Sequence, residues 1–352
     1  MTEAPKTSPG LTTAAALGAG AAAALLFIVS SKGTMMAMLL AYLAPLPIMI
    51  LTLGFGSQAG FVAACAGTLT VALASGMALD LKSADPLSVV AKVALLFAIV
   101  TAFPAWFLPR LLLMSRVRVN DAADALVPSR EPTRDYFPLG MVLFLAALLS
   151  AVAVILGLSY YIIKAGSYDA AVDQLLAKAT PMVKEMLGTV KNAPAEFTPE
   201  KFARALVNMM PAMAAGSTVL MLSLNLWLAG RVTQISDRLP RPWPDVAMSL
   251  RLPRLALVLL AVCLLASFLD GVVGAIANIL ASALSAAFIL QGLATLHVVS
   301  RGWGIRPALL GTIYLAVGLF FPLPLLLFLP LGVADSAFFI RDRKFASQKP
   351  TI

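Results

Sequence analysis

Residues 42–56 read YLAPLPIMILTLGFG, an apolar run whose first third carries Pro45 and Pro47. The composition suits a bilayer, yet each proline removes a backbone donor and disfavours helix in the residue before it. Pro45 stands well inside the longer run 36–56, too deep for a helix cap and too early for the far end. The pair therefore predicts a kink or re-entrant break within a membrane segment, and Gly54, Gly56 and Gly60 mark the next turn. Because a broken helix frees carbonyls that a solute can use, Pro45 and Pro47 become candidate ligand-binding positions.

The rest of the chain has the same character. Its 352 residues are 60% hydrophobic and 12% charged, with mean hydropathy +0.92, whereas a soluble chain is about half apolar and a quarter charged. This is the composition of a polytopic membrane protein. Backbone groups in hydrocarbon must be satisfied internally, and the short alternating strands of a barrel are absent, so an all-α transmembrane bundle is expected. Apolar runs at 13–30, 36–56, 60–79, 89–109, 137–160, 205–229, 255–271 and 273–299 each approach the roughly 20 residues a span needs. The run at 13–30 ends FIVSSKG, without a small-residue cleavage site, and reads as a retained first helix. The last stretch, 307–340, is too long for one crossing; Pro322 and Pro324 in GLFFPLPLLLF predict a tight helical hairpin turning at 320–324, with one long tilted helix as the alternative. The expected total is about 8–10 spans.

Net charge is +9. Arg110, Arg116, Arg118, Arg130 and Arg134 fill one gap; Arg231, Arg238, Arg241, Arg251 and Arg254 fill another; Arg301, Arg306, Arg341 and Arg343 lie further on. Short loops rich in arginine stay in the cytoplasm, which puts both termini inside a bacterial cytoplasmic membrane. The expected organisation is a disordered cytoplasmic head (1–12), an N-terminal transmembrane half (13–160), an exported helical loop (161–204), a C-terminal transmembrane half (205–340) and a cytoplasmic tail (341–352). No basic stretch interleaves aromatics in the way nucleic-acid binding requires, so no nucleic-acid partner is expected. Cys65 and Cys263 both lie inside apolar runs and read as small core hydrophobes.

In the exported loop, Val172, Leu175, Leu176, Ala179, Val183, Met186 and Leu187 follow helical spacing from Tyr168. Thr198, Pro199 and Glu200 then read as an N-cap, a first-position proline and a first-turn acid, opening a helix that runs on into the membrane at Leu206. The pair is expected to pack at the interface or to cap an external opening.

Catalysis needs convergent acids, bases, nucleophiles or metal ligands, and the chain has no HExxH, GxSxG or P-loop. It is expected not to be an enzyme and to carry no cofactor or metal. The single histidine, His297, stands near a helix C-terminus, where a packing hydrogen bond accounts for it. Asn225, Asp270, Asn278, Gln291 and Asp335 are the polar residues at membrane depth, where such groups face a pathway, partner or cavity. Asp270 reads as a solvated cap, and Asp335 is expected to pair with Arg301, Arg306 or Arg341. For a cavity the candidates are therefore Pro45, Pro47, Asn225, Trp227 and Gln291; for a cytoplasmic face that meets a partner or anionic lipid they are Arg231, Trp243, Arg251, Arg254 and Asp335. PRPWPD at 240–245 reads as a stiff, extended turn.

Four stretches, LAPLPIMILTLGFGSQAG, MPAMAAGSTVLMLSLNLWLAGRV, ILQGLATLHVVSRGWG and GVADSAFFIRDR, together resemble the YybS-like family of predicted bacterial membrane proteins, in the family's order over nearly the whole chain. That family is similar, more loosely, to the substrate-binding S components of energy-coupling-factor transporters. The resemblance implies a small-solute binding or transport protein whose first helix docks on a transmembrane partner through small residues every four positions. Ala14, Gly18 and Ala22 form one such row and Ala16, Gly20 and Ala24 another. Small rows let any two helices approach closely, so a non-catalytic scaffold or assembly factor is the alternative. The chain departs from S components in its greater length, its added helices and its lack of a recognisable vitamin-binding set.

Overall fold

The computed structural model describes residues 8–78, 86–117, 134–188 and 198–346. Arg118 and Arg130 of the first arginine gap, and the ends of the head and tail, lie outside them. In chain order the helices are α1 (Pro9–Ile28), α2 (Met35–Ala41), α3 (Leu46–Phe55), α4 (Ser57–Ala78), α5 (Pro86–Phe97), α6 (Phe103–Leu113), α7 (Leu139–Ala165), α8 (Tyr168–Gly188), α9 (Pro199–Ile235), α10 (Val246–Ser249), α11 (Arg254–Ala266), α12 (Gly271–Val299), α13 (Arg306–Phe320), α14 (Phe328–Phe338) and α15 (Ile340–Ala346). Among the described residues, seven helical segments are long and apolar enough to cross a membrane, and three shorter apolar ones accompany them. The fold is an all-α polytopic bundle. Two three-residue strands, β1 (Ser115–Val117) and β2 (Arg134–Tyr136), pair antiparallel after α6; nothing in their sequence alternates clearly enough to announce them.

The chain forms two compact units, Met1–Ala146 with Met221–Leu250, and Ala147–Leu220 with Arg251–Ile352. The boundaries fall inside α7 and α9, so each of these helices contributes to both.

In the first unit α1 starts at Pro9, earlier than the apolar run predicts, because the Ser8 side chain accepts from Leu11 N–H and a proline opens the first turn. It packs on α4 through glycines: a Cβ on Gly67 would stand 2.9 Å from Gly20 O, and one on Gly20 would stand 2.7 Å from Gly67 N. Such backbone approach is what holds helices together where lipid supplies no hydrophobic drive. The row Ala16, Gly20 and Ala24 is consumed here, all three being buried. Gly56, at φ 95°, turns α3 into α4, and Trp106 Nε1 donates to Ser57 O at 2.9 Å, tying α6 to that turn. A π-helical turn, Ala98–Ala102, joins α5 to α6.

In the second unit α12 is the central element, with buried residues along most of its length. It crosses α14 at Gly292 and Gly332, whose absent Cβ atoms would overlap Phe328 O and Phe288 O respectively. α11 stops at Ala266, short of the run expected to 271, because the chain turns through Ser267–Asp270 and restarts at Gly271 with φ 70°. Its 13 residues rise only about 20 Å, less than the roughly 30 Å hydrocarbon core. Asp270 is exposed at the start of α12, as expected. Helix also breaks at the second PLP step: after Phe320 come a turn and a 3-10 segment, Leu323–Leu327, before α14. One long tilted helix is therefore excluded. Leu325 and Phe328 close this corner against Ile289.

α8 begins at Tyr168 and buries Ala171 and Val183. α9 begins with Thr198 Oγ1 accepting from Lys201 N–H and continues without a break for 37 residues. Cys65 is exposed on α4, against the expectation of a core position, while Cys263 is buried; both are free thiols.

Candidate functional site

The prolines that break the first unit's second apolar segment leave a definite debt. Helix α2 ends at Ala41, and the chain then makes tight turns, with Ala44 N–H donating to Ala41 O and Leu46 N–H to Leu43 O. Leu46 N–H is thereby lost to Tyr42 O, its ordinary helical partner. Asn225 of α9 replaces it: Nδ2 donates to Tyr42 O at 2.7 Å and to Met221 O of its own helix at 2.7 Å. Two carbonyl acceptors fix which end of the amide faces them. Asn225 is fully buried, and its Oδ1 finds no partner among the described residues. Pro45 is buried at the N-cap of α3, and Pro47 stands in that helix's first turn. The break is real, and its freed carbonyl is closed from within. Asn225→Ala is expected to leave Tyr42 O unpaired and to cost about 1–3 kcal/mol, read as a lower melting temperature of the purified chain in detergent.

Trp227, two residues on, points elsewhere. At 47% exposure it stands on the outer surface of α9, because successive odd positions fall on opposite helix faces.

Beyond Trp227 the same helix reaches the arginine-rich turn. Trp243 packs directly over Gly230, where a side chain would overlap its ring, and Arg231 lies 5.8 Å from the Trp243 ring centre while donating to Gln234 Oε1. PRPWPD thus folds back on its own helix. Arg238 covers the Phe55 ring at 4.5 Å, Arg241 covers Tyr136 at 4.6 Å and donates to Leu112 O at 3.0 Å, and Arg110 covers Trp106 at 5.2 Å.

The second unit holds Gln291 and Asp335, which the sequence places in separate candidate groups and which are bonded to one another here; Pro45 and Asn225 lie in the first unit. Asp335 pairs with Arg341, one of its three expected partners. Arg341 Nη2 and Nε donate to Asp335 Oδ2 at 2.6 and 3.0 Å, Arg341 N–H donates to Oδ1 at 3.2 Å, and the two side chains are 0% and 3% exposed. The geometry depends on Phe339, whose φ of 55° turns the chain back by one tight step. Gln291 reads the same carboxylate: its Nε2 donates to Asp335 Oδ2 at 2.9 Å and to Ser336 Oγ at 2.8 Å, and its Oε1 accepts from Leu252 N–H at 2.8 Å. Both ends of the Gln291 amide are thus engaged within the second unit. The Gly292–Gly332 crossing brings α12 and α14 close enough for this set to form.

Around this node the basic residues are engaged too. Arg251 forms a two-pronged pair with Asp342 at 2.6 and 2.7 Å, which holds the Asp342 carboxyl below the usual carboxylate range. Arg254 lies 5.2 Å from the Phe339 ring, and Lys344 donates to Arg301 O at 2.8 Å, just past the C-terminal end of α12. Arg251, Arg254 and Asp335 thus gather in the second unit, whereas Arg231 and Trp243 belong to the first. His297 meets Leu293 O at 2.9 Å and the Tyr314 hydroxyl at 3.3 Å, the packing role expected of it.

A cavity of ≈ 30 Å³ opens within the second unit among α7, α8, α9 and α12, with Tyr168, Asn208 and Asn278 as its polar lining. It has room for a water or two, far below the roughly 300 Å³ of a small-molecule pocket. Sequence reasoning placed Asn225, Gln291 and Asp335 at depth but missed Tyr42 O, Ser336 and Arg238. Arg341 was named only as one of three alternatives.

Among known proteins, the model of a family described as "Predicted membrane protein (DUF2232)" matches residues 131–336. The match takes in Asn225, Gln291 and Asp335 and excludes α1. No curated protein and no solved structure matches the chain.

Proposed function

We propose that this chain, which belongs to the DUF2232 family of predicted membrane proteins, is a non-catalytic docking protein of the bilayer that receives a transmembrane helix of another membrane protein on the Ala14–Gly18–Ala22 face of α1. One observation carries the reading: of the two small-residue rows on α1, one is packed on α4 and the other is vacant. Ala14 and Gly18 are exposed, Ala22 is half-buried, and nothing stands within 4 Å of a Cβ on Gly18. Leu11 and Leu25, each 61% exposed, bound the row at its two ends, so the face is a shallow groove of helix-packing shape. The resemblance to transporter S components implies docking by the same face. The arginine gaps support a bacterial cytoplasmic membrane with both termini inside.

Gly18→Leu is expected to abolish association with the partner while changing the chain's own stability by no more than about 0.5 kcal/mol, checked by co-purification and melting temperature together. Loss of fold in Gly18→Leu, or unchanged association, would sink the reading.

A second reading, a solute binder or transporter, is favoured by one observation, the buried and unpartnered Oδ1 of Asn225 beside a broken helix. Identification of small molecules that co-purify in native nanodiscs separates the two: a stoichiometric solute lost in Asn225→Leu, with no protein partner, would replace the docking reading by this one.

A further inference from the structure

Four arginines gather at one end of the first unit without an acidic partner. Three candidate spans, Met35–Phe55, Pro86–Leu113 and Pro199–Ile235, terminate there. Gly54 lies against Thr233 and Arg238; Arg241 reaches Leu112 at the end of α6; Trp106, beneath Arg110, is bonded to Ser57 beyond the end of α3; Arg231 and Trp243 cover the end of α9. Among the described residues, none of Arg110, Arg231, Arg238 and Arg241 forms an ion pair, whereas Arg251 and Arg341 of the second unit are matched to Asp342 and Asp335. Each of the four lies on an aromatic ring instead.

A ring contact fixes a guanidinium in place and uses none of its five N–H donors. Arg241 donates one to Leu112 O and Arg231 donates to Gln234 Oε1, while Arg241 Nε is buried with no partner. We propose that this end is a site for the phosphodiester headgroup of an anionic phospholipid, gripped by Arg238 and Arg241 with Arg110 and Arg231 flanking. Guanidinium matches phosphate oxygens two at a time, and the span ends set the arginines at headgroup depth, where tryptophan and tyrosine also collect. A lipid fits better than free phosphate because Val232 and Ile235 on α9, 41% and 75% exposed, and Met114 beyond α6, 52% exposed, offer apolar surface beside the charges for acyl chains.

The test uses the full chain in nanodiscs of phosphatidylcholine containing a minor fraction of phosphatidylglycerol, with bound lipid counted by native mass spectrometry. The expected result is enrichment of phosphatidylglycerol that falls roughly fivefold per arginine removed, and so roughly 25-fold in Arg238→Gln/Arg241→Gln. The double lysine variant should recover only part of it, because charge is kept and the two-pronged geometry is lost. Lys184→Gln, on α8 of the second unit and outside both candidate sets, should bind as wild type. Should the double glutamine variant fail to fold, Arg238→Gln alone carries the test at fivefold. Wild-type enrichment in a folded glutamine variant overturns the proposal, and so does displacement of the lipid by millimolar inorganic phosphate, which would mark a site for a free anion.

Discussion

Arg341→Leu is expected to cost about 3–5 kcal/mol, among the largest effects of any single replacement in the chain. Arg341 and Asp335 are both buried, and the substitution strands a carboxylate that has only Gln291 Nε2 left as a side-chain amide donor. Coulomb attraction between the pair roughly repays the cost of dehydrating both charges, but it cannot repay the cost of one. The consequence is asymmetric. Removing the charges together, as Asp335→Leu/Arg341→Leu, is expected to restore much of the loss, although Gln291 Nε2 must then be satisfied by Gly332 O and Ser336 Oγ alone. Melting temperatures of the three proteins in one detergent check this. A single variant no less stable than the double would show that the pair carries no such coupling.

Gly292→Leu comes next, at about 3 kcal/mol or more, because the atoms that a side chain meets there are backbone. Its Cβ would overlap Phe328 O and stand 3.0 Å from Gly332 N, so no rotamer change relieves it and α14 must move away. Moving α14 also pulls Asp335 and Ser336 from Gln291, which couples the glycine crossing to the polar node. Gly332→Leu separates the same two helices, and the double variant should cost clearly less than the sum of the two singles. Additive losses in a denaturation series would contradict a shared crossing.

Much of the bundle could be read from composition and run length because lipid imposes a simple rule, apolar and helical for about 20 residues. The two PLP steps were legible as breaks, since proline acts on its own neighbours. What each break does was not legible. The second turns a chain too long to cross once; the first leaves a carbonyl that a residue 183 positions away must satisfy. Nothing near Tyr42 names Asn225, and nothing near Gln291 names Asp335. Buried polar residues announce that they need partners, but the partner is set by helix rotation and crossing, which depend on glycines such as Gly292 and Gly332 whose neighbours lie on another helix. The same limit hid the setting of Trp227: its identity says nothing of helix phase, which leaves it about half exposed on α9. On α1 the sequence gives two equivalent small-residue rows, and only the packing of α4 against Gly20 distinguishes a spent row from a vacant one.

That vacant row carries the account of function, and photocrosslinking in native membranes tests it most directly. A photoreactive amino acid at position 18 is expected to yield one discrete adduct with another integral membrane protein, lost when Ala14 and Ala22 are both made leucine. At position 17, where Leu17 is 53% exposed on a neighbouring face, it is expected to label lipid alone. Lipid labelling alone at both positions would contradict the docking face and with it the proposed function.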